Sequence, residues 1–309
     1  MGETKIRAIK GLVFLAILWL LPTAGGAATV TIDCSLASLQ AAIDKAKPGD
    51  TFLVSGTCNE NLIIPEENQK ITLDGQGKAT ITGRDKTRDT LLVYGKGITI
   101  KGFTITGGRD GIHILMGGAV LIDRNTIQNT DRFGIYVTQH SSARIVNNTI
   151  QNNAQFGVSV SGLSFAYIGL LAYLDLQDKT ASPNIIQGNG RAGIHVHRTS
   201  YARMAGNTIR GNKLEGIEVT GVSHAQIGTS TIDSNGADGI FVGENSGVDL
   251  GSLSGTGILN LPNSSPAPNA GFGIKCSTGG SAFGRLGTLS GKKGTKDFPA
   301  GGCVDGLVP

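Results

Sequence analysis

The sequence lacks the features that mark several large classes of protein. Its longest apolar run, Gly11 to Leu21, is eleven residues long, whereas a helix needs about twenty apolar residues to cross a bilayer. Aromatic residues make up only 5%, and Trp19 is the only tryptophan. After residue 46, no long stretch repeats apolar residues at helical spacing. These absences argue against a helical membrane protein and against a helical solenoid.

The first 28 residues are arranged like a secretory signal peptide. Basic residues between Lys5 and Lys10 precede the apolar run, and small residues from Ala24 to Ala28 suit a signal peptidase. We therefore expect residues 1–28 to be removed and residues 29–309 to form a single domain. The protein is then secreted or periplasmic, without a membrane span. The rival interpretation, a membrane anchor, needs a longer apolar run.

Charge is nearly balanced along the chain. The net charge of +4 falls to +2 without the first 28 residues, which carry three basic residues and one acidic residue. A nucleic-acid-binding surface shows a concentrated basic patch, and this sequence has none. We expect no nucleic-acid partner and predict a monomer.

Four cysteines lie near the two ends of the exported chain. An even number of cysteines in an exported protein favours disulfide bonds, and four cysteines allow three pairings. We favour Cys34–Cys58 and Cys276–Cys303, because each bond then fastens a terminal element. A metal site is disfavoured, because no close pair of cysteines has histidines nearby.

A repeat of 23 residues runs through the middle of the chain. A glycine, an aliphatic residue, a variable residue and usually a second aliphatic residue recur at steps of 23, 23, 36, 23, 23 and 34 residues. These glycines are Gly111, Gly134, Gly157, Gly193, Gly216, Gly239 and Gly273. A second motif, usually Thr-Ile, and a third, Ala-x-aliphatic, recur in step with them. The pattern predicts three short strands per repeat, each with alternating inward and outward side chains.

Short strands separated by Gly, Asn and Ser predict an all-β fold, a right-handed parallel β-helix whose turns stack on one another. The regular repeats span about residues 91–250, and residues 251–309 form a less regular C-terminal cap. Leu39 to Ala46 is predicted as a short helix, started by Asp33 or Ser35, that caps the first turn. A column of asparagines predicts a ladder at one turn of each repeat. Its members are Asn153, Asn189, Asn212 and Asn235.

Two insertions and one column of phenylalanines depart from the plain repeat. The insertions lie around Leu170 to Ser182 and Pro262 to Asn269. Long loops on a regular scaffold often bind ligands, but they are also where extra residues are tolerated, and both interpretations stay open. Phe133, Phe156 and Phe272 share one column, which we interpret as an internal aromatic ladder.

The beginning of the chain and its repeats resemble the pectate-lyase-like β-helix proteins. The segments that resemble their opening are Leu39 to Ile43, Pro48 to Thr51 and Ile71 to Gly75. The Asn-Thr-Ile and Gly-Ile-x-Val units resemble their parallel β-helix repeats, and the resemblance covers nearly all of residues 30–280. That group includes polysaccharide lyases, glycoside hydrolases, uronan epimerases and a periplasmic protein that helps to mature nitrous oxide reductase. The resemblance therefore implies the fold, and it leaves the activity open.

The catalytic signatures of that group are missing. Polygalacturonase-like enzymes combine aspartates with Gly-His-Gly, which is absent here. Asp110-Gly111-Ile112 and Asp238-Gly239-Ile240 match only fragments of their aspartate motif. The Asp-Pro-His of alginate epimerases is absent too. Calcium-dependent pectate lyases gather several acids on adjacent turns, and no such group stands out, so we predict no cofactor and find calcium unsupported.

The candidate site lies on the outward side of the Gly-Ile-x-Val strands. The two aliphatic residues face inward, so the variable residue between them faces out. In stacking order this column is His113, Tyr136, Ser159, His195, Glu218, Phe241 and Lys275. The catalytic candidates are His195, Glu218, Tyr136 and His197. The substrate-binding candidates are Arg109, Arg132, Arg191, Arg198, His113, Glu215 and Asp238.

These residue types suit the chemistry of an acidic polysaccharide. Cleaving or epimerising a uronic acid polymer requires a cation for the sugar carboxylate and a base for the adjacent proton. Arg191 or Arg198 suits the first role, and a histidine or Tyr136 suits the second. Glu218 is expected one turn after His195, near enough to orient its imidazole.

Two other interpretations stay open. Glu215 and Asp238, expected on adjacent turns, are alternative candidates for the carboxylate pair of a hydrolase. In the second alternative the protein is a non-catalytic periplasmic or cell-surface scaffold. The outward residues of a solenoid are polar whatever its function, so polar outward residues do not by themselves indicate a site. The sequence alone leaves open whether the protein is an enzyme.

Overall fold

The computed structural model describes residues 26–171, 180–251 and 257–309. The predicted signal peptide falls almost entirely outside the described residues, as does most of the first insertion. The described part contains strands, one short helix, α1 (Leu39–Ile43), and one 3₁₀ turn, Ile258–Asn260. No helix in this part of the chain is long and apolar enough to cross a membrane.

The strands are short and follow one another around the turns of a solenoid. Before the regular repeats they are β1 (Thr29–Asp33), β2 (Thr51–Ser55), β3 (Thr57–Cys58), β4 (Leu62–Ile64) and β5 (Thr72–Gly83). In the repeats they are β6 (Leu91–Val93), β7 (Lys96–Gly107), β8 (Ile112–Ile114), β9 (Ala119–Asp123), β10 (Thr126–Gln128), β11 (Ile135–Val137), β12 (Ser142–Val146), β13 (Thr149–Gln151), β14 (Val158–Val160), β15 (Phe165–Ile168), β16 (Ile185–Gln187), β17 (Ile194–Val196), β18 (Tyr201–Ala205), β19 (Thr208–Arg210), β20 (Ile217–Val219), β21 (His224–Gly228), β22 (Thr231–Asp233), β23 (Ile240–Val242) and β24 (Gly247–Leu250). The last four are β25 (Phe272–Cys276), β26 (Gly280–Arg285), β27 (Gly294–Asp297) and β28 (Cys303–Val308).

These strands form two parallel sheets that wrap one core. The front sheet has ten strands, in the order β27-β25-β23-β20-β17-β14-β11-β8-β6-β4. The other eighteen strands form the back sheet. It contains two stacks of strands, one with β9 and β12 and one with β10 and β13, and the long strands β5 and β7 run through both. Each residue pairs with its equivalent one repeat away, as Ile135 does with Ile112 and Val158. The predicted right-handed parallel β-helix is confirmed.

The core contains the inward residues of every turn. Ile112, Ile135, Val158 and Ile194 stack in one column and are fully buried, and Ile127 and Ile150 stack in another. Branched aliphatic side chains fit this position because stacked strands place like residues over like, and such residues pack well on a pleated surface. The inward half of the sequence pattern is therefore what determines the fold.

Buried asparagines form two ladders along the turns. In the predicted ladder, the side-chain amide of Asn153 donates to Asn189 Oδ1 (3.0 Å), and Asn189 donates to Asn212 Oδ1 (2.9 Å). The ladder continues to Asn235 and beyond it to Asn269. A second ladder, which the asparagine column did not predict, joins Asn125, Asn148, Asn184 and Asn207. Both ladders supply hydrogen bonds to buried turn groups that water cannot reach.

The N-terminal end of the stack is covered by α1, as predicted, although the helix ends three residues earlier and has a different N-cap. Ser38 is the N-cap, and its hydroxyl accepts from the amide of Ala41. Asp33 does not cap the helix, because its carboxylate accepts from the amide and hydroxyl of Ser35 and closes a separate turn. Leu39 is fully buried in the core, so the helix shields the first turn from water.

Both predicted disulfides are present. Cys34 is bonded to Cys58, and Cys276 is bonded to Cys303. The first holds the segment before α1 against the start of the stack. The second joins β25 of the front sheet to β28, the last strand of the back sheet, and closes the C-terminal end.

The second insertion is partly structural. Ser264 bridges Thr231 and Thr288 in parallel register. Asn263 Oδ1 accepts from the amide of Ser230, and Asn269 ends the predicted asparagine ladder. This segment therefore forms part of an irregular turn of the stack instead of an open loop.

Candidate functional site

The outward residues of the front sheet lie in one column, as the repeat predicts. His195 pairs in register with Ser159 on one side and with Glu218 on the other. The members of this front column, in stacking order, are Ile63, Leu92, His113, Tyr136, Ser159, His195, Glu218, Phe241, Lys275 and Asp297. Each position is one rung, and neighbouring rungs are about 4.8 Å apart.

Two groups of polar side chains accompany the front column. The first, the arginine–aspartate cluster, contains Asp89, Arg109, Asp110, His113, Arg132 and Tyr136. The second, the histidine–glutamate cluster, contains Arg191, His195, His197, Glu215, Glu218 and Thr220. The rung of Ser159 lies between Tyr136 and His195, which are therefore two rungs, roughly 10 Å, apart.

Paired ions hold the arginine–aspartate cluster together. Arg109 donates from Nε and Nη2 to both oxygens of Asp89, at 3.0 and 3.1 Å. Arg132 binds Asp110 in the same two-point manner, with Nε 2.8 Å from Oδ1. Both carboxylates are buried, so each depends on its guanidinium for compensation. Two of the four arginines predicted to bind substrate, Arg109 and Arg132, are thus already neutralised by aspartates.

His113 is held in place by Asp89. Its Nδ1 lies 2.8 Å from Asp89 Oδ2, and its ring stacks on Tyr136 with 4.7 Å between centroids. Burial raises the pKa of Asp89, but hydrogen bonds from His113 and Arg109 outweigh this and hold the pKa at about 2. An ionised carboxylate only accepts, so Nδ1 carries the hydrogen. Nε2 of His113 is buried and has no hydrogen-bond partner among the described residues.

Within the described part of the chain, three side chains of this cluster are close enough together to hold a metal ion. One ligand atom from each of Asp89, Asp110 and His113 lies within 4.8 Å of the others. Two arginines already occupy the carboxylates, and a cation there would have to displace them. A cleft of about 130 Å³ beside Asp89 and Arg109 is smaller than the sites that enclose organic ligands, which start at about 300 Å³.

Two aromatic rings contact His195 in the histidine–glutamate cluster. The ring of His195 lies between those of Phe156 and His197, whose centroids are 4.5 and 4.0 Å away. His195 is only 9% exposed, whereas His197 is partly exposed. Nε2 of His195 lies 3.2 Å from the hydroxyl of Thr220 and 3.9 Å from Glu218 Oε1. Thr220, and not Glu218 as the sequence suggested, makes the hydrogen bond that orients the imidazole.

Burial shifts the pKa values of the acid and of the two histidines of this cluster in opposite directions. Desolvation, helped by the charges of His197, Arg191 and Arg198, lowers the pKa of His195 to about 3. Desolvation and the charge of Arg198 lower the pKa of His197 to about 4. At neutral pH both imidazoles are uncharged and offer a lone pair.

Glu218 is the acid of this cluster. Desolvation and the negative charges of Glu215 and Glu244 raise the pKa of Glu218 to about 7, although Arg191 opposes the shift. Burial likewise raises the pKa of Glu215. Near neutral pH a large fraction of Glu218 keeps its proton, so the cluster can both accept and donate protons.

The remaining predicted residues are placed less uniformly. Arg191 is exposed, and its guanidinium carbon lies 4.8 Å from the centroid of Phe156. Arg198 is exposed in the turn after β17. Neither forms a salt bridge within the described residues. Asp238 accepts from the amide of Phe272 at 2.7 Å, which gives it a structural role in its turn.

The phenylalanine column does form a ladder, with the ring centroids of Phe133 and Phe156 5.5 Å apart and Phe156 buried, but the ladder lies outside the main core cluster and contacts outward residues. Phe133 contacts the outward ring of Tyr136 and lies under Arg132, 4.4 Å from its guanidinium carbon. Phe156 contacts His195 in the same manner. The chain turns just before each front strand, so the alternation of inward and outward side chains does not extend back to this column.

Sequence reasoning missed Asp89 and Thr220 as members of the site. Asp89 precedes β6, where the repeat motif is weak, and one turn separates it from Asp110. Two aspartates in one column next to an arginine column were the available signal. Thr220 is two residues after Glu218, and its hydrogen bond to His195 crosses diagonally from one rung to the next. That contact depends on side-chain rotamers, which the period does not determine.

Comparison with known proteins gives one curated relative. A cell surface glycoprotein of Methanothermus fervidus is 28% identical over 123 residues, which are 38% of this chain and 20% of the glycoprotein. The chain therefore spans about a fifth of the length of that relative.

Solved structures of similar shape show the fold. An alginate lyase from a Paenibacillus species has a TM-score of 0.56 at 18% identity, covering 91% of this chain and 99% of its own. The A-module of a mannuronan C-5 epimerase from Azotobacter vinelandii has a TM-score of 0.58 at 13% identity, covering 92% and 91%. A pectate lyase has a TM-score of 0.57 at 12% identity, covering 88% and 79%.

The family comparison covers more than half of the chain. Residues 53–168 and 172–257 match the family described as the right handed beta helix region. The match spans the regular repeats and most of the front column. Together with the parallel register of the strands, it shows that the chain belongs to the right-handed β-helix family.

Proposed function

We propose that the front column binds an acidic polysaccharide and removes the proton beside a uronic acid carboxylate. One observation carries this proposal: Glu218, whose pKa is raised to about 7, lies 3.9 Å from His195, whose ring stacks on that of His197, and the pKa values of both histidines are far below neutrality. Neighbouring groups whose environments push their pKa values apart are suited to act as acid and base. Removal of this proton is the step that elimination and epimerisation share.

The exposure of each group suggests its role. His197, the more exposed histidine, takes the proton from the sugar carbon, and His195 supports its ring from behind. In elimination the electron pair of the broken C–H bond forms a double bond and expels the glycosidic oxygen, which takes the proton of Glu218. In epimerisation Glu218 returns its proton to the opposite face of the same carbon.

The cations of the second cluster suit the sugar carboxylate. Arg191 and Arg198 are exposed and make no salt bridge within the described residues. A guanidinium next to the carboxylate stabilises the negative charge that develops when the adjacent carbon loses its proton. Arg109 and Arg132, already bound to aspartates, instead extend a rigid surface along which further sugar units lie.

We also propose that the chain is exported, loses residues 1–28 and acts outside the cytoplasm as a single domain. Two disulfides favour an oxidising compartment. A cell surface glycoprotein among its relatives and polysaccharide-acting proteins among its structural neighbours agree with this location and ligand.

A non-catalytic scaffold at the cell surface is the second candidate. The similarity to the Methanothermus glycoprotein favours it, because the matched segment is only a part of a much longer surface protein. In that case the front column binds a polysaccharide, or presents a polar face, without turnover.

Incubation with a series of uronate polymers tests the proposal. Elimination is read from the absorbance of the unsaturated product, and epimerisation from the incorporation of solvent deuterium beside the carboxylate. We expect turnover of at least one polymer, and loss of turnover in Glu218→Gln and His197→Gln but not in Glu66→Gln, an exposed control. Binding without turnover rejects the catalytic role and favours the scaffold, and no binding rejects the proposal as a whole.

A further inference from the structure

A second groove lies on the back sheet, away from the front column. It has a volume of about 300 Å³, the lower end of the range for sites that hold organic ligands. The residues that form it, called the back groove here, are Ala119, Leu121, Ser142, Arg144, Phe165 and Tyr167. None of them belongs to either cluster of the front column.

The groove exists because side-chain size changes abruptly from one rung to the next. Ala119, Ser142 and Phe165 are equivalent outward positions on β9, β12 and β15. The small residues on β9 and β12 leave a depression, and Phe165 rises at its end as a wall. Tyr167, which is in register with Arg144, continues this wall.

A stack of rings holds the wall in position. Phe165 stacks on Tyr201, with centroids 5.4 Å apart and planes 18° apart, and Tyr201 stacks on His224 at 5.6 Å and 6°. His224 in turn lies 3.1 Å from a carboxylate oxygen of Asp249. One face of Phe165 is therefore covered by Tyr201, and the opposite face is turned toward Ser142 and the groove.

Tyr167 is also fixed. Its ring meets Phe165 edge-on at 4.5 Å, and it packs against the small buried cluster of Leu170, Ala205, Ile258 and Leu259. An aromatic wall that is rigid before a ligand arrives loses little conformational entropy on binding.

A cation stands at the same wall. The guanidinium carbon of Arg144 lies 5.0 Å from the centroid of Tyr167, and Nη1 donates to the carbonyl of Leu171. A guanidinium has five N–H groups, so the contacts with Tyr167 and Leu171 leave Arg144 with further donors for a ligand. The groove therefore offers an apolar ring face next to a positive charge.

We propose that the back groove is a second carbohydrate-binding site, which takes a sugar acid. The C–H face of a pyranose ring lies on Phe165, and its carboxylate accepts from Arg144. This site differs from the front column in sheet and in residues, and it binds without proton transfer. The proposal is independent of the proposed function of the front column.

Fluorine NMR separates the two surfaces in one titration. With 3-fluorotyrosine in the chain, Tyr167 and Tyr201 report on the back groove and Tyr136 reports on the front column, each assigned by its Tyr→Phe variant. The probes are trimers of galacturonic, glucuronic and mannuronic acid, with galactose and glucose trimers as neutral controls. We expect an acidic trimer to shift Tyr167 with an affinity about fivefold or more above that of a neutral trimer, as expected for a charge-assisted contact.

Each outcome is decisive for one surface. If no acidic trimer shifts Tyr167, the back groove is not a sugar-acid site, whatever Tyr136 shows. If acidic and neutral trimers bind equally, the role of Arg144 is wrong. A shift of Tyr167 without a shift of Tyr136 supports the back groove and contradicts ligand binding at the front column.

Variants locate the ligand within the groove. Phe165→Leu should weaken binding about tenfold, and Arg144→Gln should remove the preference for acidic sugars. Phe283→Leu, an exposed phenylalanine on the same sheet, is the matched control. Ser142→Phe fills the groove without disturbing the ring stack and should abolish the shift of Tyr167. If Ser142→Phe folds and still binds, the ligand lies elsewhere.

Discussion

Glu218 lies one rung after His195, with its Oε1 3.9 Å from Nε2 of the imidazole, and the pKa values of the two groups are shifted in opposite directions. Burial raises the pKa of Glu218 to about 7 and lowers the pKa of His195 to about 3. Because both groups are largely buried, each is more stable in its uncharged form. Their protonation states therefore affect both proton transfer and the free energy of unfolding.

The activity on a uronate polymer should depend on the proton of Glu218. We expect turnover to fall above about pH 7 as the carboxyl ionises. Glu218→Gln should lower turnover by about 100-fold or more and remove this fall. Initial rates between pH 5 and 9 check both effects, with Glu66→Gln as the control. A fall near pH 7 that persists in Glu218→Gln assigns the titration to another group.

The stability of the protein should also depend on Glu218. Its folded pKa lies above the unfolded value of 4.5, so its contribution is complete below pH 4.5 and is lost as the pH rises through about 7. Glu218→Gln should therefore unfold at higher urea than the parent at pH 8.5 but not at pH 4. The gain should be on the order of 1–3 kcal/mol. Equal gains at both pH values would show that ionisation is not the cause.

The buried histidine should give the opposite dependence. The folded pKa of His195 lies below the unfolded value of 6.5, so its contribution is complete above pH 6.5 and is lost as the pH falls toward 3. Between pH 7 and pH 4 the parent should lose about 3 kcal/mol through this group. His195→Gln should show a smaller loss, and His140→Asn, an exposed control, the full loss. Urea unfolding at several pH values measures the difference.

The asparagine ladder should be intolerant of charge. Asn189 is fully buried and donates to Asn212 Oδ1, while its own Oδ1 accepts from Asn153. Asn189→Asp removes the donor and buries a carboxylate, which should cost at least about 2 kcal/mol of unfolding free energy. Asn152→Asp, the same change at an exposed turn, is the control and should cost little. A similar loss of unfolding free energy in both variants would show that the asparagine ladder does not stabilise the fold.

The buried ion pair of the arginine–aspartate cluster should matter more than a surface pair. Arg132→Met leaves Asp110, whose side chain is 0% exposed, without its two-point partner. We expect a loss of about 3–5 kcal/mol. Lys86→Met breaks the exposed pair with Asp131 and should cost less than about 1 kcal/mol. Chemical unfolding of both variants decides whether burial makes the difference.

Much of the architecture could be predicted from the spacing of residues. The glycine and aliphatic positions predicted which residues stack, and His195, Glu218 and Tyr136 lie in the expected column. The disulfides followed from the position of cysteines at both ends of a stack. The period failed at the turns, where Phe133 and Phe156 contact the outward rings of Tyr136 and His195, because local backbone bends end the in–out alternation there.

The sequence by itself determined the fold and the column of each side chain, because parallel stacking places every residue over its equivalent one repeat away. Only the tertiary structure decided which side chains meet. It paired Arg109 and Arg132 with buried aspartates, bonded His195 to Thr220 and raised the pKa of Glu218 through burial. It also formed the back groove from a change of side-chain size between adjacent rungs. These contacts depend on rotamers, burial and neighbouring rungs, which a repeat period does not specify.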